Sequence, residues 1–454
     1  MNLESINPAT EETIEKFQQY KDEKINEILE KCHHAHLEWR LLFLYRRAKY
    51  IVKLASHLRD NKMFLAKLIT EEMGKPIAQS IAEVEKCAAM IDYYAHNSPI
   101  WLEDQSVVTE AKKSFITYQP LGIILGIMPW NFPLWQVLRF AIPAILAGNS
   151  VILKHAPNVC RTALALEKIF FDCDFPDGLF RTILLGVNRI PALIEHPYIQ
   201  GISLTGSEKA GRSIGELAGK NLKKVVLELG GSDPYIVFHD ANLELAVETC
   251  VASRLINCGQ TCISAKRFLV DKTIADEFEE LFIEKMKLKT MGDPLGKPDI
   301  GPMARDDLRR NLHEQVQRSI QQGAKLQTGG VIPNETGYYY PPTVLTGVTP
   351  GMKVWEEETF GPVATITRFG TELEALRLAH DTPYGLGAAL FSEDTDRMEK
   401  IARQKIMAGS VFINDFVRSD PRLPFGGIKA SGIGRELSHY GLMEFVNIKT
   451  IWIK

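Results

Sequence analysis

The stretch LGIILGIMPWNFPLWQVLRFAIPAILAGNSVILK, residues 121–154, decides the fold. Its first part, from Leu121 to Gly148, is mostly apolar and long enough to cross a bilayer. It also contains Pro129, Pro133 and Pro143, with Asn131, Gln136 and Arg139. In lipid those residues would leave polar groups without partners. The stretch therefore reads as a buried strand over 122–128, a Pro-flanked loop, a buried helix, and a second strand over 150–154.

Working outward, the same alternation continues. Short apolar runs at 181–185, 201–205, 224–229 and 234–238 read as strands, with helices at 160–171 and 210–218 between them. Such alternation predicts parallel βαβ units. A second alternating block follows Glu228. It has strands at Arg267–Asp271, Val363–Phe369, 388–392 and 410–414, and helices at Ala275–Lys287 and Glu372–His380. Before this, residues 22–100 carry apolar positions at helical spacing, such as Ile25, Ile28, Leu29 and Cys32. The expected fold class is α/β, with two doubly wound lobes joined near residue 230.

Composition narrows the function classes. A chain of 454 residues exceeds one ordinary core, so two or three domains are expected. The formal charge of −3 gives no basic surplus for nucleic acid or an anionic membrane. Seven Cys, an odd number without a CxxC pair, suit a reducing, cytoplasmic setting. The start Met1-Asn2-Leu3-Glu4 lacks the basic-then-apolar layout of a leader. The sequon Asn334-Glu335-Thr336 is then a chance match. His33, His34 and His36 share one predicted helix, but no third ligand accompanies them, so a solvated face is expected and no metal.

The chemistry concentrates in a few residues. Cys262, in Asn257-Cys258-Gly259-Gln260-Thr261-Cys262, is a candidate thiol nucleophile. Glu228, in Leu227-Glu228-Leu229-Gly230-Gly231, is a candidate carboxylate base. A thiolate attacking a carbonyl carbon generates an oxyanion that needs preorganised donors. The side-chain amide of Asn131 and the backbone N–H of Cys262 can supply them. Taken singly, each has a bland alternative: a small buried Cys, a satisfied buried carboxylate, a turn Asn. No GxGxxG occurs. Instead, Thr205-Gly206-Ser207 ends a predicted strand and opens a predicted helix, where orphan N–H groups can hold a pyrophosphate.

These residues lie in motifs that resemble the aldehyde dehydrogenase superfamily along nearly the whole chain. The motifs are Pro129-Trp130-Asn131-Phe132-Pro133, Leu227-Glu228-Leu229-Gly230-Gly231, Gly259-Gln260-Thr261-Cys262, Glu357-Glu358-Thr359-Phe360-Gly361-Pro362 and Pro424-Phe425-Gly426-Gly427-Ile428-Lys429. Two further segments, Gly231-Ser232-Asp233-Pro234 and Arg435-Glu436-Leu437-Ser438-His439, look like the bacterial succinate-semialdehyde dehydrogenase branch. The resemblance implies oxidation of an aldehyde to an acid with NAD or NADP, through a cysteine thiohemiacetal and thioester. Succinate semialdehyde is the expected substrate; another aliphatic or aromatic aldehyde is the alternative, and a cofactor-free thiol hydrolase or acyltransferase a further one. Cys262 would be the nucleophile, Glu228 the base that activates water, and Asn131 the oxyanion donor. Lys154 and Glu358 match positions that hold the cofactor riboses. Trp130, Gly206, Ser207, Leu229 and Phe360 match other cofactor contacts.

Two departures from the family pattern stand out. Where many relatives carry a Glu that bonds the ribose 2′-hydroxyl, this chain has Pro157, which leaves NADP tolerable. Where many carry a relay Lys, it has Phe140, so a relay would run through Glu436 or water. Arg139 matches an Arg that binds the substrate carboxylate in semialdehyde enzymes, with a structural helix Arg as the alternative. A second such Arg is replaced by Ile256. Cys258 is either a protective disulfide partner of Cys262 or a packed bystander. The resemblance also implies a division of the chain. A cofactor-binding domain would take 1–101 and 121–230, and a catalytic domain 231–435. An oligomerisation extension would take 102–120 and 436–454, its strand at 447–453 adding to a partner's sheet in a homodimer or homotetramer.

Overall fold

Strand Ile123–Met128 is buried at every position, as is helix Trp135–Ala147, because each has structure packed on all sides. The computed structural model describes residues 3–454. Met1 and Asn2, which open both the stretch read for a leader and the first expected domain, lie outside the described residues. No helix among the described residues is long and apolar enough to cross a membrane.

Two twisted α/β sheets organise the chain. The first has six strands in the order Gly432–Ile433, Lys224–Glu228, Ile199–Thr205, Ile123–Met128, Ser150–His155, Phe180–Thr182. All its neighbours pair in parallel except Gly432–Ile433, which runs back along Lys224–Glu228. Chain order reverses between Ile123–Met128 and Ile199–Thr205. That is the switch point, where loops leaving the carboxyl ends splay apart and open a crevice. The second sheet has seven strands: Lys325–Thr328, Thr343–Thr346, Val363–Phe369, Arg267–Asp271, Pro234–Val237, Gly387–Phe391 and Ser410–Ile413. Only its edge strand Lys325–Thr328 is antiparallel.

The helices of the N-terminal region carry the first sheet's framework. Helix Ile77–Trp101 packs against Leu44–Asp60, Lys62–Met73 and Trp135–Ala147. Helix Trp135–Ala147 has no side-chain cap of its own. Glu83 supplies one from the neighbouring helix, accepting the N–H groups of Leu134 and Trp135, each at 3.0 Å. A carboxylate there also complements the helix dipole. Glu83 is in turn ion-paired with the buried Lys75. This clamp sets where Gln136 and Arg139 stand.

Two expectations need correction. The strand expected at 181–185 is Phe180–Thr182, a short strand at the sheet edge with one neighbour to sustain it. The face carrying His33, His34 and His36 is not uniformly solvated. His36 is buried, its Nδ1 3.0 Å from the Gly148 carbonyl, because helix Asp22–Trp39 lies across the end of Trp135–Ala147. His33 stacks on Tyr198 at 4.1 Å. No group of His, Cys, Asp and Glu among the described residues could hold a metal.

A third sheet joins distant parts of the chain. Val446–Ile453 pairs antiparallel with Lys113–Pro120, from Val446 opposite Pro120 to Ile453 opposite Lys113, and Gln105–Ser106 lies on the other side. Val446–Ile453 is thus an edge strand, with Ile448 and Trp452 exposed.

Candidate active site

The loop before Cys262 is held in an unusual backbone. Asn257, Cys258 and Gly259 have φ of 56°, 55° and 71° in succession. Two consecutive non-glycine residues in the left-handed region are strained and persist only when their surroundings hold them. Here the Asn257 N–H donates to Gln79 Oε1 at 2.8 Å, and Asn257 Nδ2 donates to the Asn131 carbonyl at 2.8 Å. Arg254 Nη2 donates to the Gly259 carbonyl at 2.7 Å. A Cβ on Gly259 would lie 2.2 Å from the Gly361 oxygen, so two of the quoted motifs meet at a point where only glycine fits. After Cys262, Lys266 Nζ donates to the Cys262 carbonyl at 2.8 Å, to Gly231 O at 2.5 Å and to Glu358 Oε1 at 2.6 Å. One ammonium thus ties the thiol's loop to the Gly230-Gly231 turn and to Glu358.

Cys262 is half-buried and opens onto two cavities. One, of about 430 Å³, is lined by Pro129, Trp130, Asn131, Thr205, Gly206, Ser207, Leu229, Gly230, Arg305, Leu308, Glu358 and Phe360. It sits at the switch point of the six-stranded sheet, on the loops after Met128 and Thr205. The other, of about 150 Å³, is lined by Lys86, Phe132, Trp135, Arg139, Ile256, Ile263, Phe416, Arg418, Ser419 and Phe425, among others. Only Cys262 and Gln136 line both. Burial pushes the Cys262 thiol up to about 12, partly offset by Arg139 and Lys266. At rest it is therefore a neutral thiol that needs a base to ionise it.

The larger cavity fits a dinucleotide. Trp130 and Phe360 meet edge to face at 5.8 Å and form an aromatic wall. Ser207 caps helix Glu208–Lys220, its Oγ accepting from the Ala210 N–H, so the helix's positive end points toward Gly206. Glu358 lines the cavity, held by Lys266 and by the Gly231 N–H at 3.2 Å. Lys154 and Pro157 do not line it. They lie at and just after the end of strand Ser150–His155, where Lys154 pairs in register with Ile127. Burial lowers the Lys154 ammonium from its ordinary value.

Asn131 is buried, with Nδ2 donating to the Gln260 carbonyl at 2.9 Å. One amide N–H is engaged there and the second remains for an oxyanion. Glu228 is buried at the end of strand Lys224–Glu228 and lines neither cavity. Both its oxygens lack a hydrogen-bond partner. Gly426 makes room for it: φ there is +150°, and a Cβ would lie 2.6 Å from Glu228 Oε1. Burial first, and then Glu436, raise the Glu228 carboxyl well above its ordinary value. Arg139 is buried in an ion pair with Glu436, donates Nη2 to Thr205 Oγ1 at 3.3 Å, and lies 4.8 Å over the Phe425 ring. Phe140 packs on the sheet: a Cβ at Gly126 would meet its Cζ at 2.0 Å. Sequence reasoning missed Lys266, Gln136 as a site residue, Arg305 and Lys86. Gln136 alone carried a signal, as a polar residue inside an apolar run.

With this geometry in place, comparison with known proteins is informative. The aldehyde dehydrogenase family is matched over residues 1–451. The chain is 45% identical over 454 residues to a probable NADP(+)-linked succinate-semialdehyde dehydrogenase of Synechocystis sp., covering 100% of both chains. It is 45% identical over 449 residues to an NAD(P)+-linked succinate semialdehyde dehydrogenase of Escherichia coli, covering 99% of this chain and 97% of that one. The crystal structure of succinic semialdehyde dehydrogenase from Streptococcus pyogenes in complex with NADP+ matches with a TM-score of 0.97 at 35% identity, covering 99% of both chains.

Proposed function

The chain belongs to the aldehyde dehydrogenase family, and on that premise we propose that it oxidises succinate semialdehyde to succinate with NAD or NADP. The observation that carries this reading is Cys262 opening onto two cavities. One has the aromatic wall and helix terminus that suit a dinucleotide, and the other has the cations that suit an acidic aldehyde.

The chain's own residues then divide the work. Cys262 Sγ adds to the aldehyde carbon as its proton passes to a water molecule, and the carbonyl oxygen becomes an oxyanion. The free amide N–H of Asn131 and the Cys262 backbone N–H stabilise that oxygen. A bound nicotinamide supplies the hydride acceptor. Cys262 is left as a thioester. Glu228 takes a proton from water, whose oxygen attacks the thioester carbon, releasing the acid and restoring the thiol. Both Glu228 oxygens are unpartnered, and its raised carboxyl must lose its proton before it can take one from that water. Trp130, Gly206, Ser207, Leu229, Glu358 and Phe360 would hold the cofactor. Lys154 would meet its ribose, and Pro157 there puts no carboxylate against a 2′-phosphate.

We read residues to 101 and 121–230 as the cofactor-binding domain, 231–435 as the catalytic domain, and 102–120 with 436–454 as the oligomerisation extension. The exposed edge strand Val446–Ile453 supports a homodimer or homotetramer. Seven unpaired cysteines support a reducing, cytoplasmic setting. A steady-state panel of aldehydes against NAD and NADP, followed at 340 nm, tests the function. Succinate semialdehyde should give the highest kcat/KM; a neutral aldehyde ahead of it would sink the substrate reading.

A further inference from the structure

Three cations line the cavity beside Cys262: Lys86, Arg139 and Arg418. Two already have their counter-charge. Arg139 is paired with Glu436, both side chains nearly inaccessible, at 3% and 4%. Arg418 is paired with Asp415 and lies over the Phe416 ring. Lys86 has no ion pair among the described residues. The carboxylates nearest it in sequence are engaged elsewhere: Glu83 with Lys75 and the start of helix Trp135–Ala147, Glu85 with Lys62. Asp420, next to Ser419, is engaged with Arg422.

What Lys86 does touch suits an anion. Its Nζ donates to Ser419 Oγ at 2.8 Å and lies 4.1 Å over the Trp135 ring. Two ammonium N–H groups are left, and Ser419, which accepts from Lys86, keeps its own O–H to donate. An ammonium and a hydroxyl side by side match the two oxygens of a carboxylate. Burial lowers the Lys86 ammonium to about 8, a strain that an incoming negative charge would relieve.

We infer that Lys86 and Ser419 hold the distal carboxylate of the substrate, and that Lys86 is the specificity-determining cation of this site. The inference rests on the reading of the substrate as an aldehyde bearing a carboxylate. It fills the gap left by Ile256, and it stands in the same cavity as Arg139, whose Nε is engaged by Glu436.

The test compares succinate semialdehyde with butanal in the full-length enzyme, in wild type and in Lys86→Met, Lys86→Arg and Ser419→Ala. Loss of one charged hydrogen bond corresponds to about a ten- to hundredfold rise in KM. Lys86→Met should show that rise for succinate semialdehyde, with kcat moved much less and butanal KM moved far less. Succinate should weaken as an inhibitor in parallel. Lys86→Arg should recover part of the loss, and Ser419→Ala should show a smaller rise. Butanal reports any general damage to folding or chemistry. If Lys86→Met keeps the wild-type preference for the acidic aldehyde, or loses both substrates equally, the inference is overturned while the substrate reading stands. If wild type itself shows no such preference, the substrate reading falls and this inference with it.

Discussion

The two cavities that meet at Cys262 are built differently. The side proposed for the dinucleotide is made of short loops at strand ends, each part of a compact motif: Trp130 and Asn131 after one strand, Gly206 and Ser207 after another, Glu358 and Phe360 in a third segment. The side proposed for the aldehyde is made of side chains from the middles of helices and from a distant loop: Lys86, Arg139, and Phe416 to Ser419. The difference teaches where generality and specificity reside. Groups that must meet one invariant cofactor sit on rigid strand ends at a switch point. Groups proposed to choose among aldehydes sit on packed helix faces, where one residue can change without moving the chemistry.

The largest expected effect breaks both cavities at Cys262, one of the two residues they share. Cys262→Ala should reduce aldehyde oxidation to background while the protein stays folded and still binds NAD(P)H, measured by fluorescence. Substantial residual turnover would remove Cys262 from the chemistry and leave the cavities unconnected.

Glu228→Gln separates the two halves of the reaction. Deacylation should slow by about 10²- to 10⁴-fold, the usual worth of a positioned general base. Rapid mixing should then show a burst of NAD(P)H followed by a slow steady state. Because the Glu228 carboxyl is raised by burial, it ionises at higher pH than an ordinary Glu. Wild-type deacylation should therefore be present above that raised value and lost as pH falls through it, well before an ordinary carboxylate would protonate. A burst rate that falls as much as the steady state would assign Glu228 to the first step.

Arg139→Met probes whether the aldehyde side has one free cation or two. Removing one partner of a buried ion pair typically costs about 3–5 kcal/mol, because the other charge is stranded. Here the stranded group is Glu436. Thermal stability should fall, and activity on acidic and neutral aldehydes should fall together. A selective loss on succinate semialdehyde, with Tm unchanged, would return the carboxylate clamp to Arg139.

The smallest effect sharpens the dinucleotide side. If Pro157 faces the ribose as proposed, Pro157→Glu should shift the NADP/NAD ratio of kcat/KM toward NAD by about tenfold, the worth of one charged hydrogen bond gained or lost. Wild-type enzyme that cannot use NADP at all would defeat the reasoning from this position.

Much of the second sheet was legible residue by residue. Arg267–Asp271, Ala275–Lys287, Val363–Phe369 and Glu372–His380 have the bounds that the sequence pattern predicts. Their ends carry local signals, such as Thr371 capping its helix at the Glu374 N–H. Other elements escaped notice because their signal is not local. The hairpin of Leu3–Ile6 with Thr13–Phe17 and the edge strand Lys325–Thr328 are short, partly exposed and without strong alternation. His36 is buried by a segment more than a hundred residues away, which no helical period reveals.

By itself the sequence determined the α/β class and the alternation that makes two sheets, and it singled out Cys262 and Glu228 as candidates for the chemistry. Those follow from hydrophobic period and from small residues crowded around Cys262 and Glu228, both local properties of the chain. Only the tertiary structure decided that Glu436 pairs with Arg139, that Gly426 vacates the space Glu228 occupies, and that Lys86 reaches the cavity bonded to Ser419 and not to a carboxylate. Electrostatic pairing and steric room depend on distances between segments remote in sequence.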